Sequence, residues 1–250
     1  MSHHIVEVEE LRYRYPDGTQ ALDGINFRIE HGEAVAIVGA NGAGKSTLLL
    51  HLNGYLTPAD GRVRIGDYPL NRETVQDIRR TVGMVFQDPD DQLFMPTVFD
   101  DVAFGPLNLG YPTEEVNERV TAALEQVDAL HLRDRPPFHL SGGEKRAVSI
   151  ASVLSMSPDI LVMDEPTTGI DPRGRRLLIK QLKSFKHTKI IATHDLDLVL
   201  DLCERTIVIH EGKVTADGST LEIFSNEELL EKSHLEKPMR MQACPVCGKK

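Results

Sequence analysis

Ala34-Val35-Ala36-Ile37-Val38-Gly39-Ala40-Asn41-Gly42-Ala43-Gly44-Lys45-Ser46 is a short apolar run that breaks into a glycine loop and ends on a lysine and a hydroxyl. The apolar run has the length of a buried strand. Residues 39–46 fit GxxxxGK[ST] at every position. In such a loop the glycines let successive backbone N–H groups converge on phosphate oxygens. The helix expected over Lys45 to Asn53, with Leu48, Leu49 and Leu52 inward, adds its positive N-terminal end. Lys45 is then the residue that reaches the β and γ phosphates, and Ser46 is a Mg²⁺ ligand. Gly39, Asn41, Gly42, Ala43, Gly44 and Thr47 complete the expected nucleotide-binding set.

The surrounding periodicity extends this reading. Residues 5 to 30 alternate apolar and polar around Pro16-Asp17-Gly18, which predicts antiparallel strands. Further strands are expected at Gly61–Ile65 and Val82–Phe86. Helices are expected over Val98 to Asn108 and Thr113 to Leu130, the second keeping Val116, Val120, Ala123, Leu124 and Val127 at helical spacing. Ser141 reads as an N-cap opening a helix through Leu154. The strand Ile160–Met163, a helix after Pro172, the strand Lys189–Thr193, a helix near Leu196 to Leu202 and two strands from Arg205 to Ala216 follow. Strand and helix alternate at both ends with helices inserted between, which implies an α/β core carrying a helical subdomain. Residues beyond about 232 read as a loosely held polar tail.

Two further stretches carry chemistry. Ile160-Leu161-Val162-Met163-Asp164-Glu165 is an apolar strand that delivers two carboxylates at its C-terminal end, the edge where parallel sheets bind ligands. Asp164 is placed to hold Mg²⁺ through water, and Glu165 to act as general base on an attacking water. His194 ends the next strand, 29 residues after Glu165, and is expected in the catalytic site. The remaining histidines read as surface or packing residues. Leu140-Ser141-Gly142-Gly143-Glu144 is the third element: a hydroxyl, two glycines that permit close backbone approach, and a helix end that favours negative charge.

Phosphate loop, SGG turn, DE pair and later histidine, in that order, resemble the ATP-binding cassette family over nearly the whole chain. The resemblance implies a P-loop NTPase (RecA-like) core with an antiparallel β subdomain and an inserted α-helical subdomain. The cassette would span 1–232, its core about 1–87 and 158–232 and its helical subdomain about 88–157, with 233–250 a tail. In that family the turn at Ser141, Gly142, Gly143 and Glu144 contacts the γ-phosphate held by a second subunit. Gly169-Ile170-Asp171 is the D-loop crossing the interface, with Asp171 its retained acid. Gln87 touches Mg²⁺ and the attacking water. Tyr15 stacks on adenine, with Tyr13 the runner-up. ATP and Mg²⁺ are the implied cofactors. Glu144 stands where many cassettes have Gln, and Thr168-Gly169-Ile170-Asp171 replaces the commoner Ser-Ala-Leu-Asp.

Gln87-Asp88-Pro89-Asp90-Asp91-Gln92-Leu93-Phe94, Tyr13-Arg14-Tyr15-Pro16-Asp17-Gly18 and Asp101-Val102-Ala103-Phe104-Gly105-Pro106 look like the ATPases of energy-coupling factor importers, most like the cobalt/nickel CbiO type. The implied partners are a second ATPase subunit, identical or paralogous, a transmembrane coupling protein and a substrate-binding membrane subunit. Phe94, Met95, Phe99 and Phe104 could line the groove that receives the coupling protein. The implied location is the cytoplasmic face of the membrane. A vitamin importer and a non-transport cassette of the iron–sulfur assembly type are the alternatives; the Gln92-Leu93-Phe94 pattern speaks against the latter.

Composition agrees. The 250 residues carry a net charge of −10, which argues against a nucleic-acid partner. No stretch approaches the ~18 apolar residues of a membrane-spanning helix, and no secretory signal is visible at Met1-Ser2-His3-His4. Three cysteines are too few and too uneven for a disulfide framework. Cys203 falls in an apolar helical pattern and reads as a buried thiol. Cys244-Pro245-Val246-Cys247 is half a zinc knuckle, open to two readings: incidental cysteines in a tail, or a tail or intermolecular metal site to which His234 could contribute.

Overall fold

The computed structural model describes residues 6–242; His3, His4 and the Cys244/Cys247 pair lie outside them. In chain order the elements are β1 (Val6–Arg14), β2 (Gln20–Ile29), β3 (Ala34–Val38), α1 (Lys45–Leu52), β4 (Asp60–Ile65), β5 (Tyr68–Pro69), α2 (Val75–Thr81), β6 (Val82–Val85), α3 (Val98–Asn108), α4 (Thr113–Gln126), α5 (Gly142–Leu154), β7 (Ile160–Asp164), α6 (Pro172–Ser184), β8 (Thr188–Ala192), α7 (Leu196–Leu202), β9 (Arg205–His210), β10 (Lys213–Ser219), α8 (Thr220–Ser225) and α9 (Glu227–Lys232). They fall into two compact units. One runs to Ile78 and resumes at Thr188; the other is Arg79–His187.

The first unit holds two sheets. In the antiparallel sheet the order is β2-β1-β4-β5. The alternation expected across 5–30 is realised as the β1–β2 pair, with Val8 opposite Phe27 and Leu11 opposite Ile25 on the buried face. The other sheet sets β3 between β8 and β9, parallel to both, with β10 antiparallel on β9. β3 is apolar throughout because it has a neighbour on each side and helices over it; Val35 to Val38 are all buried. Leu48, Leu49 and Leu52 of α1 are fully buried, each contributing roughly 1.5–3 kcal/mol against exposure.

The second unit pairs β6 with β7 in parallel, Val82 opposite Ile160 and Val85 opposite Met163. Helix α5 packs on β6, α3 and α4 pack on α5, and α6 belongs to the same unit. Helix α4 keeps the expected buried positions Val116, Val120, Ala123 and Leu124 but ends at Gln126, short of the expected Leu130. The chain turns at Asp128, whose φ of 58° is left-handed, and resumes as a 3₁₀ turn at Leu130–Leu132.

The chain past residue 232 departs from the expectation of a loose tail. Asp197 of α7 accepts from the backbone N–H groups of Met239 and Arg240, and the Arg240 guanidinium reaches both Asp197 and Asp201. The chain is therefore tied to α7 at Met239 and Arg240, and Ser233 is buried. Among the described residues no helix is long and apolar enough to cross a membrane.

Candidate nucleotide site

In the first unit the glycine loop joins β3 to α1. Gly44 has φ 106° at the helix start, and a Cβ there would strike the Ala21 carbonyl, so only glycine fits. Gly39 is pressed against the Ile209 carbonyl of β9 in the same way. These close approaches pin the loop to its sheet. The Lys45 ammonium lies inside the loop and donates to the Gly39 and Ala40 carbonyl oxygens at 2.8 and 3.2 Å. It is 7% exposed, so its charge is delivered where converging backbone N–H groups already favour an anion. Ser46 is exposed and Thr47 buried.

Tyr15 stands at the end of β1, and its hydroxyl lies 3.0 Å from Thr47 Oγ1. Its ring meets Tyr13 edge-on at 5.1 Å, and Tyr13 meets His51 edge-on at 4.8 Å. His51, in the last turn of α1, is fully buried, its Nδ1 2.8 Å from the Thr47 carbonyl oxygen. Burial lowers its pKa, so it stays neutral, a packing residue as the sequence suggested. Both tyrosines reach the phosphate-loop helix, Tyr15 through its hydroxyl at Thr47 in the first turn and Tyr13 through its ring at His51 near the helix end.

His194 lies two residues past β8. The Thr193 N–H donates to the Ile37 carbonyl, so β8 leaves the sheet at the edge where β3 feeds the loop. His194 is exposed, and it shares a cavity of about 440 Å³ with Gly39, Ala40 and Asn41.

The second unit carries the other site residues. Asp164 ends β7 and Glu165 follows it; each is 5% exposed. Glu165 holds φ at 44°, the left-handed region, which for a non-glycine residue costs on the order of 1–3 kcal/mol. Such local strain concentrates where a side chain must be aimed.

Ser141 caps α5 in a reciprocal box: its Oγ accepts from the Glu144 N–H at 3.4 Å, while the Ser141 N–H and O–H donate to Glu144 Oε2 at 2.8 and 2.7 Å. These bonds hold the Glu144 carboxyl below its ordinary pKa. The departure from Gln to Glu thus has a local role, an ionised capping-box acid. Gly142 approaches the Gly169 carbonyl so closely that a Cβ would sit 3.1 Å from it. The SGG turn and the D-loop therefore touch within one chain, and Asp171 caps α6 by accepting from the Gly174 N–H at 2.6 Å.

Gln87 is exposed just past β6. Its carbonyl oxygen, with that of Phe86, accepts from the guanidinium of Arg146 on α5. Arg146 is 2% exposed; burial lowers its pKa, and the Asp88 and Asp164 carboxylates oppose that shift. Sequence reasoning missed this residue. The signal was present: Arg146, Ser149, Ile150 and Val153 form the buried stripe of α5, and an arginine on an apolar stripe needs a partner.

Gln92 is also structural. Its amide bridges the Phe86 N–H, the Ser149 carbonyl and the Ser152 hydroxyl. The buried Asp101 carboxylate accepts from the N–H groups of Phe94 and Met95, and its burial raises its pKa. That anchor presents Phe94, 63% exposed, edge-on to Phe104, 44% exposed, with Leu107 beside it on the open face of α3. Phe99 instead packs under the Arg133 guanidinium at 4.5 Å, and Met95 is half-buried.

A phosphate loop ending in a buried lysine, an acidic strand end and a serine-capped SGG helix define an ATP-binding cassette. Residues 22–168 match the family model described as ABC transporter, and the chain belongs to that family. It is an ATP-binding, ATP-hydrolysing cassette. It is 70% identical over its whole length to a putative ABC transporter ATP-binding protein of Geobacter sulfurreducens, all of which is covered. It is 47% identical to the energy-coupling factor transporter ATP-binding protein EcfA of Methanocaldococcus jannaschii over 99% of this chain and 90% of that protein. Among solved structures, cbiO1 from Clostridium perfringens, part of the ABC transporter complex cbiONQ, is 44% identical, with 92% of this chain and 94% of that chain covered and a TM-score of 0.79. A dimeric ATP-binding cassette in a post-hydrolysis state with ADP and Pi is 28% identical, with 86% and 98% covered and a TM-score of 0.78.

Proposed function

We propose that this cassette works as one of two ATPase subunits under a membrane coupling protein and powers uptake of a transition-metal ion, cobalt or nickel. The similarity to EcfA and to a member of a cbiONQ complex supports the importer. The Gln87–Phe94 stretch and its CbiO-type pattern support the metal cargo. The exposed Phe94–Phe104–Leu107 face is suited to receive a short apolar helix of the coupling protein. The chain would then sit peripherally on the cytoplasmic face of the membrane.

The observation that carries the catalytic reading is the company His194 keeps: one cavity with Gly39, Ala40 and Asn41 of the loop. Lys45 neutralises the β and γ phosphates, Thr47 and the loop glycines bind phosphate oxygens, and Tyr15 supports the base. Glu165 takes a proton from the attacking water as the γ-phosphorus parts from its bridging oxygen, giving ADP and phosphate. His194 holds the γ-phosphate and Gln87 orients the water. By the family resemblance Ser46, Asp164 and Gln87 would hold Mg²⁺, and a hydroxyl, a carboxylate and an amide oxygen are the hard donors that ion takes. When bound, Mg²⁺ offsets the charge of the phosphates. Ser141, Gly142 and Gly143 complete the site of the other subunit, and ATP closes the dimer by binding the closed state more tightly.

The test is Glu165→Gln in the full chain. It should bind ATP, accumulate as a dimer and hydrolyse at well under a hundredth of the parent rate. Unchanged turnover removes Glu165 as base. Co-expression with its membrane subunits in vesicles should give ATP-dependent uptake of cobalt or nickel; uptake of a vitamin alone overturns the cargo.

A further inference from the structure

Within the first unit, His234 to Met239 and Gln242 line the cavity that holds Gly39–Asn41 and His194. We infer that this segment is a strap that sets the position of His194, with Arg240 as the positioning residue. The inference rests on the reading of His194 as the residue that meets the γ-phosphate.

Helix α7 follows His194 directly and has seven residues, about two turns. A helix that short does not hold itself in water. Its start is tied to the histidine: the Asp195 N–H donates to Thr193 Oγ1 at 3.0 Å, the Leu196 N–H to the His194 carbonyl at 3.1 Å, and Asp195 Oδ1 accepts from the Leu198 N–H at 2.8 Å. Any rotation of α7 therefore moves His194.

The strap acts on that helix through the Arg240 side chain and two neighbouring backbone N–H groups. Asp197, in the first turn, accepts from the Met239 N–H, the Arg240 N–H and Arg240 Nε, each at 3.2 Å. Arg240 Nη1 donates to Asp201 in the second turn at 3.0 Å, and Nη2 donates to the Asp197 carbonyl at 2.7 Å. One planar fork thus spans both turns. Arg240 is half exposed, so charge attraction by itself contributes little. The fixed geometry of five bonds is what orients the helix. Asp197, Leu196 and Asp195 also line the cavity, so the clamped turn is the wall His194 stands on.

The experiment compares Arg240→Ala, Arg240→Lys and the surface control Lys232→Ala in the full chain. Steady-state ATPase gives kcat and KM, imidazole NMR reports the His194 ring, and hydrogen exchange follows residues 193–199. Arg240→Ala should lower kcat about tenfold, since small misplacements of a reacting group are costly, with KM for ATP within about twofold. It should also shift the His194 resonances and speed exchange at 193–199. Arg240→Lys keeps the charge without the fork and should behave like the alanine variant; Lys232→Ala should match the parent. If Arg240→Ala does not fold, Asp201→Asn removes one arm and should give a smaller change in the same direction. Unmoved His194 resonances, or a kcat within twofold of the parent, overturn the strap. His194→Ala separates the two readings: parent-like hydrolysis there removes the role of His194, while the resonance shift in Arg240→Ala tests the strap by itself.

Discussion

The hydroxyls of Tyr15 and Thr47 lie 3.0 Å apart, joining the end of the first strand to the phosphate-loop helix. The Tyr15 ring, proposed to flank the nucleotide, is thus oriented from its polar tip, while Tyr13 packs its edge. Tyr15→Phe removes the bond and keeps the ring. A net loss of about 1 kcal/mol should raise the Kd for ATP about fivefold with kcat little changed. Titration with a fluorescent ATP analogue, alongside steady-state kinetics, reads the split. An equal fall in kcat would place the bond in the chemistry rather than in binding.

Arg146→Ala should be among the more destabilising single changes in the second unit. It leaves the Phe86 and Gln87 carbonyls without their donor and removes a buried guanidinium. Breaking a buried charged network costs about 3 kcal/mol. Hydrogen exchange at 86–90 should quicken more than at α4, and Arg146→Lys should not restore it because one ammonium cannot serve both carbonyls in a fork. Parent-like exchange at 86–90 would remove Arg146 as the anchor of that loop.

The capping box at Ser141 gives a pH signature. The Glu144 carboxyl is held below its ordinary pKa by the Ser141 N–H and O–H. A depressed carboxylate contributes stability above its unfolded pKa and loses it as pH falls through the folded value. Protection of the first turn of α5 should therefore decline below about pH 4.5. Glu144→Gln should flatten that decline and, at neutral pH, weaken the cap by about 1 kcal/mol or less. Hydrogen exchange at 142–146 across pH 3.5 to 7 measures both; identical profiles for parent and variant would sink the argument.

Cys203 should be inert in the native chain. It is 6% exposed, and burial pushes its thiol up to about 12. The thiolate is the nucleophile, so iodoacetamide at pH 8 should leave Cys203 unmodified until urea is added. Peptide mapping distinguishes it from the other cysteines. Rapid native labelling would show that α7 opens readily.

Much of this molecule is written locally. The run Ala34–Val38 with its glycine loop, the alternation of β1 and β2, the stripe of α4 and the Ser141 cap are patterns of residue type at short spacing along the chain, so spacing alone reveals them whatever their partners. Helix α4 overran by four residues because Val127 keeps the apolar spacing while the left-handed backbone at Asp128 leaves no trace in periodicity. The polar stretch after 232 read as loose because its partners, Asp197 and Asp201, lie about forty positions earlier.

The sequence by itself determined the class of the chain: the order of phosphate loop, SGG turn, DE pair and histidine, each with the backbone it needs. Tertiary structure alone decided how those parts are held. Tyr15 meets Thr47 across 32 positions, Arg146 meets Gln87 across 59 and Arg240 meets Asp197 across 43. A polar or charged side chain announces that it needs a partner when it is buried or clamped, but not which one. Only the folded chain, by bringing distant donors and acceptors within hydrogen-bond reach, makes that choice.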